Sequence, residues 1–436
     1  MFQFFAYWYV LAGAVVVYWM LPSGWRLGFL AIASMVFVAT LAPLDAAGIL
    51  VWTLLFYWIA PLALSRKPEL MRYRQDGAAA AVMSRTAENR PTASAGEQHH
   101  RRWILWTLIA SLVAYTVSFK YAPAHFLNHF AASQVRSGEA SPASTWLLPL
   151  GISYLSCFTF KFIHYAIEVA RGNIKDRSLA HLLCYAFLFP IFVMGPIERF
   201  DHFLSSREGR CSRQAIAEGL TRIILGLIKW CVLGELFFGE AYHRAVAGEL
   251  LGPRLHTMNP LKLWWTAIEV YFYGYMNFAG YSDIAIGSSR LFGLRIMENF
   301  NWPILATNPA NFWKRWHMTL TGWCMTYVFM PVLGFTRRPN FSTYAAFVVI
   351  GLWHGLSWPW VAWGLYHGTG VVVFGAWIRY RRRRGWKWAE HSAWNILGIA
   401  ATILFIAVGD MLTFGGAHSM HDMRRLFTKL AWMNVK

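Results

Sequence analysis

Apolar stretches of about twenty residues recur along this chain, separated by short polar breaks. A spanning helix needs about 20 apolar residues. Candidates run near Phe4–Leu21, Leu27–Pro43, Ala46–Leu64, Trp103–Tyr121, Trp146–Val169, Leu182–Met194 and Ile216–Phe238. Further candidates follow near Leu263–Tyr281, Leu320–Leu333, Phe341–Leu352, Trp360–Trp377 and Trp394–Leu412. The pattern predicts an all-α polytopic membrane protein of about 10–12 spans. Several stretches are short or charged and read as re-entrant or interfacial, since non-helical backbone at membrane depth must be protein-buried or water-lined. No internal repeat is evident. The expected organisation is one membrane domain, 1–436, with N-terminal spans over 1–145 and a core over 146–413.

Two polar breaks set the expected orientation. Ser65–Arg102 is Ala-rich and basic, and Arg379–Lys387 holds four consecutive arginines at Arg381–Arg384. Positive loops stay cytoplasmic, so three spans before the first break place Met1 outside. The N-terminus lacks a basic n-region and reads as a first span, not a removed signal.

Composition agrees with the pattern. Of 436 residues, 57% are hydrophobic and only 14% charged, against roughly 25% in soluble proteins. The net charge of +19 raises nucleic acid as a partner. Basic cytoplasmic loops beside anionic lipid explain it better. The five cysteines are scattered without a C-x-x-C or a metal-ligand spacing, so no metal is expected.

The chemistry concentrates after Pro149. Lys161, Glu168, Glu198, Arg199, Lys229, Glu269, Asp283, Lys314, Arg315 and Asp410 interrupt apolar stretches and imply a polar interior. Snorkelling near span ends is the bland reading for Lys120, Lys229 and Arg290. In Gly195–Phe200 a Gly-Pro break frees backbone groups, which the adjacent Glu198 and Arg199 can satisfy. Asn308–Thr321 reads as one amphipathic helix, with Phe312, Trp313, Trp316 and Leu320 on its apolar face and Asn311, Lys314 and Arg315 largely off it. Its cations suit phosphates of an acyl donor or lipid headgroups equally well.

Two histidines wrapped in tryptophan stand out, 37 residues apart. His317 ends Asn311–His317, and His354 lies between Trp353 and Gly355. An ionisable residue inside a membrane is a functional-site hypothesis by default. Either ring can be a satisfied core histidine. The functional reading makes His354 a general base that takes a proton from an attacking hydroxyl. His317 would then be its orienter, or a donor to the oxyanion. Other histidines, His367 among them, have no comparable context. No P-loop, G-x-S-x-G or H-E-x-x-H motif occurs.

Five ordered blocks carry a family likeness. They are Leu150–Tyr154 leading to Glu168 and Gly172, Gly195–Phe200, Phe278–Gly287, Asn299–Asn301 with Phe312–His317, and Gly351–Gly355 with Trp363–Gly368. Together they resemble the membrane-bound O-acyltransferase family, especially its bacterial branch of alginate O-acetylation and teichoic acid D-alanylation proteins. The resemblance implies a ring of tilted helices around a central tunnel, with a cytoplasmic thioester and an external acceptor meeting at the family's invariant histidine. His354 matches that histidine. His317 matches a second site where eukaryotic relatives usually carry Asn. The expected donor is acetyl-CoA, or an acyl or D-alanyl group on a carrier-protein phosphopantetheine, with Asn311, Lys314, Arg315, Trp316, Trp353 and Asp283 shaping its site. The expected acceptor is a hydroxyl of a cell-envelope glycan or a relay partner outside a bacterial cytoplasmic membrane. A lysophospholipid or protein acyltransferase and a polytopic transporter or flippase remain as alternatives.

Overall fold

The computed structural model describes residues 5–63, 99–118, 153–192, 194–246, 258–386, 392–414 and 420–431. Among these residues every regular element is helical. Most of the Ser65–Arg102 loop, and Lys120, lie outside the described residues. Among the described residues, five helices are long and apolar enough to cross a membrane: Ser23–Leu41, Pro43–Ala63, Met318–Thr336, Trp358–Arg383 and Trp394–Thr413. The expected 10–12 covers the whole chain, part of which lies outside the described residues. Pro260–Leu291 has 32 residues, about 48 Å at 1.5 Å each, yet carries Lys262, Glu269, Asp283 and Arg290. The expected span at Leu182–Met194 is instead two short helices, Leu179–Phe187 and Phe189–Phe192.

Contacts divide the chain into two compact units, residues 1–193 with 198–209, and residues 194–197 with 210–436. The first unit contains α1 (Phe5–Met20), α2 (Ser23–Leu41), α3 (Pro43–Ile59), α4 (99–118), α5 (Ser153–Ala170), α6 (Leu179–Phe187), α7 (Phe189–Phe192) and α8 (Phe200–Ser205). Buried Lys161 on α5 donates to the Tyr185 carbonyl at 3.1 Å. Glu198, 1% exposed, accepts from the Arg199 backbone N–H at 2.9 Å and pairs with His202 at 2.8 Å. The Arg199 guanidinium turns to Asp201 instead. The charges after the Gly-Pro break are thus satisfied locally, and Glu198 raises the His202 imidazole above its ordinary pKa.

The second unit is built on α9 (Arg213–Leu227), α10 (Phe237–Val246) and α11 (Pro260–Leu291), with a π-helical turn at Ile228–Leu236 joining the first two. Ser212 caps α9 by accepting from Ala215 N–H, and Asn259 with Pro260 starts α11. The two long helices meet through glycine. A Cβ on Gly219 would lie 2.8 Å from the Gly287 carbonyl oxygen, and one on Gly226 2.7 Å from that of Gly280. This approach brings Arg222 and Lys229 onto Asp283. Neither Lys229 nor Arg290 snorkels: Lys229 pairs with Asp283 at 2.5 Å, and Arg290, 7% exposed, with Glu218 at 2.8 Å.

The remaining elements are α12 (Pro309–Trp313), α13 (Met318–Cys324), α14 (Met330–Thr336), α15 (Pro339–His354), α16 (Trp358–Arg383), α17 (Ser392–Phe414) and α18 (Met420–Leu430). The single amphipathic helix expected over Asn308–Thr321 is broken. Helix α12 stops at Trp313, and His317 has left-handed backbone with φ 41°. The main chain there pairs with the preceding segment: Met318 N–H donates to the Asn299 carbonyl and Asn301 N–H to the Arg315 carbonyl, each at 2.9 Å. That pairing supplies the partners a continuous helix would have used.

Candidate active site

The 312–318 turn and the end of α15 bring the two histidines together. Trp353 adjoins both, its ring 6.2 Å from that of His317 and 4.4 Å from that of His354, centroid to centroid. His354 is the last residue of α15 and lies flat on Trp360, at 4.7 Å and 15°. Gly355 makes this possible, since a Cβ there would sit 2.3 Å from Trp360 Cδ1. A Cβ on Gly351 would likewise lie 2.2 Å from the Trp360 carbonyl oxygen. The glycines flanking His354 therefore admit a tryptophan of the same chain.

His317 is 4% exposed and its hydrogen bonds define its state. Its Nδ1 lies 2.8 Å from Asn299 Oδ1. Thr319 Oγ1 accepts from the Ile197 N–H at 3.1 Å and donates to the same Asn299 oxygen at 2.8 Å. Asn299 Nδ2 donates to Ser282 Oγ at 3.1 Å. With Asn299 Oδ1 as the acceptor, a neutral His317 donates from Nδ1 and keeps its lone pair on Nε2. Phe278 stands edge-on to the ring at 4.8 Å. A neutral, oriented imidazole with its basic nitrogen defined is suited to accept a proton or a hydrogen bond.

Around the pair the wall is aromatic. Trp316 stacks on Phe312 at 5.3 Å and meets Phe300 edge-on at 5.1 Å. His367, buried at 1% exposure, packs against Trp313 at 5.2 Å and Trp363 at 4.5 Å, and Trp363 also meets His354 at 5.6 Å. In the sequence, His367 is marked only by its place in the Trp363–Gly368 block.

The donor-side candidates separate. Lys314 is exposed. Arg315 is held by Asn311 Oδ1 and the Asn301 carbonyl, each at 3.1 Å, so both Asn311 and Arg315 brace the turn. Asp283 lines a cavity of about 400 Å³ with Arg222, Lys229, Glu298, Asn299 and Trp302; its lining includes neither histidine. Arg222 binds Asp283 through Nε at 2.6 Å and forks onto both oxygens of Glu298. Arg222 was not singled out in the sequence. Its signal is its place seven residues before Lys229, two turns away on the same face of an apolar stretch.

These features define an all-α, polytopic membrane protein with a paired-histidine centre. The chain belongs to the membrane-bound O-acyltransferase (MBOAT) family, whose model matches residues 79–414. It is 33% identical to a probable alginate O-acetylase of Azotobacter vinelandii, over 52% of this chain and 44% of the relative. It is 29% identical to the teichoic acid D-alanyltransferase of Bacillus subtilis, over 62% of this chain and 70% of the relative. A peptidoglycan O-acetyltransferase of Helicobacter pylori is 29% identical over 68% of this chain and 60% of its own length. The chain spans about half the length of several curated relatives it matches.

Proposed function

We propose that this protein transfers an acyl group from a cytoplasmic thioester to a hydroxyl outside a bacterial cytoplasmic membrane, with Met1 on the outer side. The donor is acetyl-CoA, or an acyl or D-alanyl group on a carrier protein's phosphopantetheine arm. The acceptor is a cell-envelope glycan or a partner that relays the group to one. The observation that carries the reading is that the rings of His317 and His354 both adjoin Trp353 in a chain of this family.

His354 acts as general base. It takes the hydroxyl proton as the oxygen attacks the thioester carbonyl, and the departing thiolate is reprotonated as the tetrahedral intermediate collapses. The Nδ1–H tautomer favours His317 as an orienter whose Nε2 accepts a hydrogen bond, over a role as donor to the oxyanion. Lys314, Trp316 and Trp353 shape the donor side, while Asn311 and Arg315 brace the turn and Asp283 is held in ion pairs with Arg222 and Lys229.

The test uses protein in vesicles with acetyl-CoA or D-alanyl carrier protein, reading thioester loss and, by mass spectrometry, acylation of envelope glycans. Wild-type protein consumes one donor. His354→Ala abolishes transfer while inserting and folding normally. Near-normal transfer by that variant would sink the assignment.

A further inference from the structure

A network of four charged side chains stands behind His317 without touching either histidine ring. Ser282 and Asp283 are consecutive on α11; Glu298 and Asn299 are consecutive on the segment that follows it. Ser282 takes a hydrogen bond from Asn299. Asp283 holds Arg222, which forks onto Glu298. Lys229 completes the neutralisation of Asp283. Two neighbouring residues of α11 therefore grip two neighbouring residues of the 298–299 segment, one directly and one through Arg222. Asn299 is fully buried and is the acceptor that fixes His317. Both carboxylates in the cavity are already paired with cations, and Arg222 directs Nε, Nη1 and Nη2 to them. The guanidinium is thereby committed to the protein, whereas a donor-phosphate site would keep it available.

We propose that Arg222 is a positioning residue for acyl transfer. It clamps Glu298 to Asp283, holds Asn299 in register and so keeps His317 in the Nδ1–H tautomer with Nε2 toward the reaction. This rests on the reading of the histidine pair as the site of transfer. The geometry asks for a guanidinium, because a single ammonium cannot fork onto Glu298 while also meeting Asp283.

The test combines turnover in vesicles with the ¹⁵N spectrum of histidine-labelled protein, the His317 signal being assigned by difference from His317→Gln. Arg222→Gln and Glu298→Gln should each lower kcat roughly 10- to 100-fold, the scale of a small misplacement of a catalytic group. The donor KM should stay unchanged, and the single His317 tautomer should become a mixture. Arg222→Lys should fall between Arg222→Gln and wild type. The double variant should be no worse than the worse single. Glu298 is 48% exposed in its side chain, so Glu298→Gln decides the matter if Arg222→Gln fails to insert. The proposal is overturned by a folded variant with wild-type kcat, by a rise in donor KM at unchanged kcat, or by an undisturbed His317 signal. Wild-type protein inert toward every donor would defeat the proposed function instead, and the ¹⁵N spectra would still judge the clamp.

Discussion

The imidazole of His354 lies parallel to the indole of Trp360, 4.7 Å away and tilted by 15°. Stacked aromatic pairs contribute about 0.5–1.5 kcal/mol beyond buried area. Trp360→Leu should therefore lower thioester turnover about 2- to 10-fold at equal membrane abundance, while Trp360→Phe retains most of it. Equal turnover of the Leu variant and wild type would mean that the stack does not orient the base.

Asn299 serves three partners at once, so its replacements should rank by what they leave unpaired. Asn299→Leu orphans the donors of His317 and Thr319, and each buried unsatisfied group costs about 1–3 kcal/mol. Its thermal unfolding in detergent should drop and its turnover collapse. Asn299→Asp keeps both acceptances but loses the donation to Ser282 and buries a carboxylate that a proton on His317 can neutralise, so it should fall below wild type yet remain the more stable and more active of the two.

The α9–α11 contact predicts opposite outcomes for the same substitution. Gly226→Ala or Gly287→Ala places a methyl within 3 Å of facing backbone, which should destabilise by about 1–3 kcal/mol. Gly274→Ala, in the interior of α11 with nothing within 4 Å, should be neutral or stabilising by up to about 1 kcal/mol through helix propensity. Melting curves of the three variants decide it.

Outside the candidate spans, the Glu198–His202 pair should make stability depend on pH. The folded pKa of His202 is raised, so its contribution is complete below about pH 6.5, the unfolded value, and is lost as pH rises through the folded value. The difference in melting temperature between wild type and His202→Gln should be largest at mildly acidic pH and shrink on the alkaline side. A pH-independent difference would rule out the ion pair as its source.

The helical class and the two histidines are legible in the sequence itself. Hydropathy revealed the helical class because lipid demands apolar length, and the two histidines stood out because indoles and glycines surround them in sequence. The break at His317 was not legible. Phe312, Trp313, Trp316 and Leu320 keep helical spacing across it, while the main chain is diverted by pairing with Asn299 and Asn301, well upstream. Arg222 was hidden for a related reason: its partners Asp283 and Glu298 lie 61 and 76 residues away, beyond the reach of any local pattern. Lys229 and Arg290 looked like chain-end cations because their carboxylates are equally remote.

The distance between Arg222 and Asp283 also bears on biogenesis. Arg222 leaves the ribosome 61 residues before Asp283. At about 5–20 residues per second that interval is roughly 3–12 s. For that time an apolar helix carries two cations, Arg222 and Lys229, with no carboxylate from α11 to neutralise them. The nascent helix must be sheltered by the insertion machinery or wait at the interface until α11 emerges, so the same ion pairs that brace the finished site set the order in which the membrane can accept its parts.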